Sequence, residues 1–248
     1  MTQEVSAGRL DQVLVERGLV ESRARAQRII RAGGVRVDGR VVEKPAAVVA
    51  AACFIELEGK DRFVGRGGDK LDFALAHFEL SVEGLRVLDV GASTGGFTDC
   101  LLQHGAAEVT AVDVGHGQMA ASLRNDPRVR CVEGVNIRYV TYGAFGGEFD
   151  FAVVDVSFIS LRLVLGAVSE QCRQEAGLIA LIKPQFELDS GSLNRRGVVK
   201  TRELREKARD QVLDSISGAG GWRVCGVAEC PVIGGDGNQE FLLHAKKN

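Results

Sequence analysis

A chain of 248 residues with 45% hydrophobic and 26% charged residues has ordinary globular composition, which excludes wholesale disorder and collagen-like repetition and predicts one or two domains. The formal net charge of −2, taken whole, argues against a nucleic-acid ligand. The longest apolar run, residues 46–55, is roughly half the ~20 residues a membrane span needs.

Splitting the charge at Lys70 changes the reading of the total. Residues 1–70 carry 13 Lys and Arg against 10 Asp and Glu, a net of +3; residues 71–248 carry 18 against 23, a net of −5. Residues 23–40 hold six Arg and one acid, Asp38. Leu10, Val13 and Leu14 share one face of a short helix that Gly18 stops. Ser22 caps a second helix, with Ala26, Ile29 and Ile30 on one side and Arg23, Arg25, Arg28 and Arg31 around the rest, ended by Gly33-Gly34. Val35 and Val37, an Asp38-Gly39 turn and Val41 predict a small hairpin. A solvated amphipathic helix is the bland reading. Four arginines in nine residues with no acid among them point instead to phosphate. Arg9-Leu10-Asp11, Gly18, Ser22-Arg23, Ala26, Ile30, Gly34-Val35, Val37 and Gly39 resemble the small RNA-binding module called the S-four domain, over roughly residues 8–55. The resemblance implies RNA contacts at Arg9, Arg23, Arg25, Arg28 and Arg31; Arg66, beyond the module, is a further expected RNA contact.

From Leu85 apolar runs alternate with helical patterns. LRVLDVG (85–91), EVTAVDV (108–114), VRCVEG (129–134), FDFAVVDV (149–156) and GLIALIKP (177–184) read as buried strands. This alternation predicts an α/β fold with a parallel sheet covered on both faces. A charged helix beginning near Thr201 precedes two more strands, WRVCGVAE (222–229) and EFLLHA (240–245). The expected organisation is an RNA-binding domain over 1–57, a linker over 58–68 and the α/β domain over 69–248.

The first βα turn, DVGASTGGF (89–97), spaces its glycines G-x-x-x-G-G, and the next strand ends in Asp113, which can accept from a ribose hydroxyl. A dinucleotide oxidoreductase would show G-x-G-x-x-G; a class I S-adenosylmethionine methyltransferase fits better, and a ligand-free structural turn is the third reading. Asp155 and Lys183 stand at the ends of the fourth and fifth strands, where ligands bind in such sheets. There an unpaired charge is costly unless used. Lys70 and Glu240 are further polar candidates, with a surface lysine and a strand-edge charge as their bland readings.

Lys70, Asp155, Lys183 and Glu240 resemble the Lys-Asp-Lys-Glu tetrad of FtsJ-like RNA 2′-O-methyltransferases. Together with GRGGDKL, DVGASTGGFTD, VDVGHGQ, DVSFISL, LIKPQFE, GNQEF and the N-terminal module, the chain is similar to the TlyA, or haemolysin A, family of ribosomal RNA methyltransferases. The resemblance implies a class I Rossmann-like fold with a small α+β RNA-binding domain. Its departures are Gly65 where a serine is expected, Gly134-Val135 where Arg-Thr often precedes the motif Asn136-Ile137-Arg138, and Asp236 where a lysine is common. The first and third bear on RNA contacts, the second on the rim of the cofactor pocket.

The resemblance implies S-adenosylmethionine over Asp89, Gly91, Ser93, Thr94, Gly95, Gly96 and Phe97, its ribose at Asp113, its adenine at Val114 and Val135, and its methyl near Asp155. An ordinary lysine, with a pKa of about 10.4, is a poor base at neutral pH. Burial and a second cation lower such a value. Lys183 is therefore expected as the base, helped by Lys70, with Asp155 orienting its amine and Glu240 holding Lys70 and the ribose hydroxyl in line. The expected partners are ribosomal RNA and ribosomal subunits, and the expected state is a monomer. The six cysteines lack any C-x-x-C, and the N-terminus lacks a basic head followed by an apolar core. Buried thiols, no metal, no membrane and a cytoplasmic location are expected. The rivals are a membrane-lytic protein and a non-catalytic RNA-binding scaffold.

Overall fold

The computed structural model describes residues 8–20, 22–57, 62–219 and 221–248, and the side chains of these except 217–219. The chain divides into two compact units between residues 61 and 62.

The first unit holds strand β1 (Gly8–Arg9), helices α1 (Leu10–Glu16) and α2 (Arg23–Arg31), and strands β2 (Val35–Val37), β3 (Arg40–Val41), β4 (Val48–Val49) and β5 (Ile55–Leu57). The Ser22 hydroxyl accepts from the Arg25 amide at 3.3 Å, which satisfies one of the orphan donors at the start of α2. Asp38 (φ 50°) and Gly39 (φ 78°) both adopt the left-handed conformation that a two-residue hairpin turn needs between β2 and β3. Leu10, Val13 and Leu14 pack with Ala26, Ile29, Ile30 and Val35. Burying a side chain such as Leu10 or Ile30 contributes about 1.5–3 kcal/mol.

The second unit contains α3 (Arg66–His77), β6 (Arg86–Val90), α4 (Gly96–Gln103), β7 (Glu108–Asp113), α5 (Ala121–Arg124), β8 (Val129–Glu133), β9 (Phe149–Val154), α6 (Leu165–Glu170), β10 (Cys172–Ile182), α7 (Pro184–Glu187), α8 (Arg202–Ala219), β11 (Trp222–Glu229) and β12 (Phe241–Lys247). The sheet order is β11-β12-β10-β9-β6-β7-β8, with β12 antiparallel to both neighbours and β6 to β10 mutually parallel. Both faces are covered, so the central strands read as continuous apolar runs. β10 begins five residues before the expected run, with an irregularity between Cys172 and Gly177.

Strand alternation decides where the polar residues fall. Phe151 and Val153, Ile179 and Leu181, and Leu242 all pack on the face that carries Leu71 of α3 and Leu101 of α4. The same parity carries Asp89 in β6, Asp155 and Lys183 just beyond β9 and β10, and Glu240 just before β12 toward that face.

The expected linker needs correction. Residues 58–61 lie outside the described residues, and Arg66–Gly68 form the first turn of α3. Gly68 is there because a side chain would collide with Phe63: a Cβ would sit 2.2 Å from its Cγ. The preceding residues are fastened too. Arg62 pairs with Asp72, the Gln103 amide donates to the Arg62 carbonyl at 2.9 Å, and the Val64 amide donates to Asp99 at 2.8 Å.

Candidate active site

The glycine turn after β6 is shaped by close approach. A Cβ on Gly91 (φ 85°) would lie 2.4 Å from the Asp155 carbonyl oxygen. Only glycine lets the turn and the Asp155 loop meet. Gly95 (φ 94°) is the N-cap of α4. Ser93 and Thr94 are exposed at the turn, while Gly96 and Phe97 are buried. Asp113 fastens the turn from the next strand: its oxygens accept from the Ser93 amide at 2.8 Å and the Gly115 amide at 2.7 Å. Each oxygen keeps a second lone pair. Val135 donates its amide to the Asp113 carbonyl at 3.0 Å and is half-buried, whereas Val114 is exposed.

Asp89 is fully buried. One of its oxygens accepts from the Thr98 hydroxyl at 2.6 Å, and Oδ1 has no hydrogen-bond partner. Burial is the main cause that pushes its pKa up to about 7; Thr98 opposes the shift and the Asp155 and Asp113 charges add to it.

The tetrad positions form two ion pairs. Lys70 Nζ lies 2.5 Å from Glu240 Oε2, both side chains buried and 170 residues apart in sequence. Lys183 Nζ lies 2.6 Å from Asp155 Oδ1, but its aligned hydrogen bond goes to Ser157 Oγ at 2.8 Å. The Lys183 ammonium is the contact that Asp155 Oδ1 makes, and it makes no further hydrogen bond. The buried thiol of Cys230 lies among these groups. Burial pushes its pKa up, Lys70 pulls it down, and Glu240 and Asp155 push it further up.

Three buried or half-buried carboxylates, Asp89, Asp113 and Asp155, thus gather at the carboxyl end of the parallel strands, and Asp89 keeps an oxygen without a partner. The unpartnered Asp89 oxygen, the acceptor Asp113 and the glycine turn fit a ligand bearing a sulfonium, an ammonium and a ribose, and so fit S-adenosylmethionine.

Several residues here carry no pattern in the sequence. Glu187 accepts from the Ser160 hydroxyl at 2.5 Å, the Leu161 amide at 2.6 Å and Arg162 Nε at 3.1 Å, tying α7, which follows Lys183, to the loop that follows Asp155. It stands in LIKPQFE, but only its partners across the fold reveal the tie. Phe158 is 90% exposed at φ 63°, beside Phe186 at a ring distance of 5.2 Å. A bulky residue at such a φ holds a strained backbone conformation. Arg66 is exposed and reaches over Gly235, where a Cβ would come within 2.8 Å of Nη2. Gly65 caps α3, and a side chain there would meet Thr94 Oγ1 at 2.7 Å.

The arginines of the first unit are less free than their spacing suggested. Arg9 and Arg23 both bind the fully buried Asp11, at 3.0 and 3.1 Å, and Gln27 donates to it at 2.8 Å. Arg9, first, holds the Asp11 carboxyl well below the usual carboxylate range. Arg25 and Arg28 are half-buried and engaged, and Arg31 is exposed, reaching Gln27 at 3.5 Å. Residues 23–31 carry no acid, as read, but Arg23 finds one outside its helix, in α1. The expected lack of metal-ligand spacing also missed a grouping. Asp72, Cys100 and His104 bring ligand atoms within 4.8 Å of one another. Arg62 and His104 occupy Asp72, and burial pushes the Cys100 thiol up, so the described contacts are those of an ion-pair network.

The FtsJ-like methyltransferase family matches residues 63–247 and the S4 domain family residues 8–51. The sequence is 45% identical over 237 residues to the 16S/23S rRNA (cytidine-2′-O)-methyltransferase TlyA of Mycobacterium tuberculosis, covering 95% of this chain and 88% of the relative. A solved structure from Streptococcus thermophilus described as a hemolysin aligns with a TM-score of 0.76 at 40% identity, covering 98% of this chain and 90% of that chain. The N-methyltransferase NodS of Bradyrhizobium japonicum, solved with S-adenosyl-L-homocysteine, shares the fold at 14% identity, with a TM-score of 0.51 over 73% of this chain and 85% of that chain.

Proposed function

Since the chain belongs to the FtsJ-like methyltransferase family, we propose that it transfers a methyl group from S-adenosylmethionine to a ribose 2′-hydroxyl of ribosomal RNA, with the S4 domain docking the RNA. The observation that carries this reading is the double ion pair, Lys70–Glu240 and Lys183–Asp155, at the carboxyl end of a methyltransferase sheet. Bound there, S-adenosylmethionine supplies an electrophilic methyl on a positive sulfur. Asp89, the glycine turn 91–96 and Asp113 would hold it, with Val114 and Val135 beside the adenine. Asp155, paired with Lys183, would offer carboxylate charge near the methyl-bearing sulfur.

Once the Lys183 ammonium has released a proton to solvent, its amine accepts the 2′-hydroxyl proton as the oxygen–methyl bond forms and the sulfur–methyl bond breaks. Asp155 and Ser157 orient the Lys183 amine, and Glu240 with Lys70 fixes the hydroxyl. Orientation of an in-line transfer is the main source of rate. The exposed ring of Phe158 offers a stacking surface to a base. Arg9, Arg23, Arg25, Arg28, Arg31 and Arg66 contact phosphate, so binding weakens with salt.

The protein acts as a cytoplasmic monomer. Among the described residues no helix is long and apolar enough to cross a membrane, which favours this reading over the membrane-lytic one. Radiolabelled methyl transfer to ribosomal subunits and to intact ribosomes tests the proposal. Label at a ribose 2′-oxygen supports it, whereas tight RNA binding with no label identifies the non-catalytic scaffold.

A further inference from the structure

After α7 the chain makes a narrow turn. Leu193 and Val199 bridge as antiparallel partners, the Asn194 amide donates to the Val198 carbonyl at 2.8 Å, and the Gly197 amide donates to the Asn194 carbonyl at 3.0 Å. The Asn194 side-chain oxygen accepts from the amides of Arg196 at 2.8 Å and Val198 at 3.1 Å. Gly197, at φ 76°, closes the turn. Two adjacent arginines, Arg195 and Arg196, stand exposed at its tip, and their guanidiniums bind no described residue. The cations that follow are engaged: Lys200 donates to the Gly191 carbonyl at 2.7 Å, and Arg202 pairs with Glu206 at 2.8 Å.

The base of the turn is tied to the active site. Asn238 is 1% exposed; its oxygen accepts from the Val199 amide at 2.9 Å and its nitrogen donates to the Gly197 carbonyl at 3.0 Å. Asn238 lies two residues before Glu240, the partner of Lys70. Two like charges side by side on a braced turn repel each other, and an anion relieves that repulsion. The planar guanidinium fork matches phosphate oxygens in pairs.

We infer that the 194–197 turn is a phosphate clamp on the catalytic domain, gripping the backbone of the RNA strand that enters the site. The inference rests on the proposed function and names a contact outside the S4 domain. Each phosphate neutralised releases counterions, so the clamp leaves a signature in the salt dependence of binding that a purely structural turn does not.

The test compares the full-length wild type with R195A/R196A and R195K/R196K. Binding to deproteinised ribosomal RNA is titrated over a salt series, beside methyl transfer to ribosomal subunits and calorimetry with S-adenosylmethionine. The alanine pair is expected to flatten the log–log salt slope by about 1.5 and to lower kcat/KM tenfold or more, with cofactor affinity unchanged. The lysine pair is expected to keep most of the slope. An unchanged slope in the alanine pair overturns the inference. Reduced transfer on subunits with an unchanged slope on RNA also overturns it, and identifies a ribosomal protein as the partner. Absence of methyl transfer by the wild type overturns the proposed function instead, while the slope still reports on the clamp.

Discussion

Asp11 in the first unit and Asp89 in the second are both fully buried, and the fold treats them in opposite ways. In the first, Asp11 is fully buried and receives donors from Arg9, Arg23 and Gln27. In the second, Asp89 keeps Oδ1 buried and without a hydrogen-bond partner. A satisfied buried charge braces a fold; an unsatisfied one is tolerated where a ligand completes it. The contrast separates acids that hold the protein together from acids that wait for a cation, and substitutions can break it on either side.

The largest effect is expected at the Lys70–Glu240 pair. Lys70→Met strands a buried carboxylate, and chemical denaturation should show a loss of about 3–5 kcal/mol. Adding Glu240→Gln removes the stranded charge and should recover most of the stability but none of the methyl transfer. If the double variant is as unstable as the single, the pair is not what the charge argument says. Next comes Asp11→Ala, which removes the acceptor shared by three donors. A melting curve should show the first unit destabilised by about 1–3 kcal/mol, with S-adenosylmethionine affinity unchanged. Glu187→Gln keeps the shape of the tie between the Asp155 and Lys183 loops but loses its charge. It should lower kcat several-fold and leave cofactor affinity alone.

The most delicate expectation concerns pH. Burial lifts Asp89 to about 7 from an unfolded value near 3.8, so between these values the folded state holds a proton the unfolded chain has released. Stability from this group is present below the lower value and declines as pH rises through 7. Compared with Asp89→Asn, the wild type should lose melting temperature between pH 5 and pH 8. A cationic cofactor favours the ionised carboxylate, so its affinity should rise over the same range in the wild type and stay flat in the variant. A parallel pH response in both proteins would remove Asp89 from the second class.

How much of this was legible in the sequence follows from the range of the interactions. Strands covered on both faces are continuous apolar runs, so β6, β7 and β9 announce themselves, and β11 starts and ends at the expected residues. The Ser22 cap and the Asp38-Gly39 turn are local and were equally readable. Asp113, Asp155 and Lys183 are readable from their places at strand ends, but the role of Lys70 and Glu240 comes only by resemblance, because they meet across 170 residues. Ser157, Glu187 and Asn238 were invisible for the same reason: their roles lie in partners that no local pattern encodes. Arg23 misled because its acid sits in the preceding helix. Gly67 and Gly68 misled because glycine marks close packing as well as flexibility. Added Cβ atoms would meet Phe97 at 3.1 Å and Phe63 at 2.2 Å.

The most direct test of the central claim is methyl transfer by Lys183→Ala, measured with radiolabelled cofactor on ribosomal subunits alongside calorimetric binding of S-adenosylmethionine. A positioned base is worth about 10²–10⁴ in rate, so kcat should fall by that factor while cofactor affinity holds. Near-wild-type transfer at unchanged affinity would contradict the assignment of Lys183 as the base.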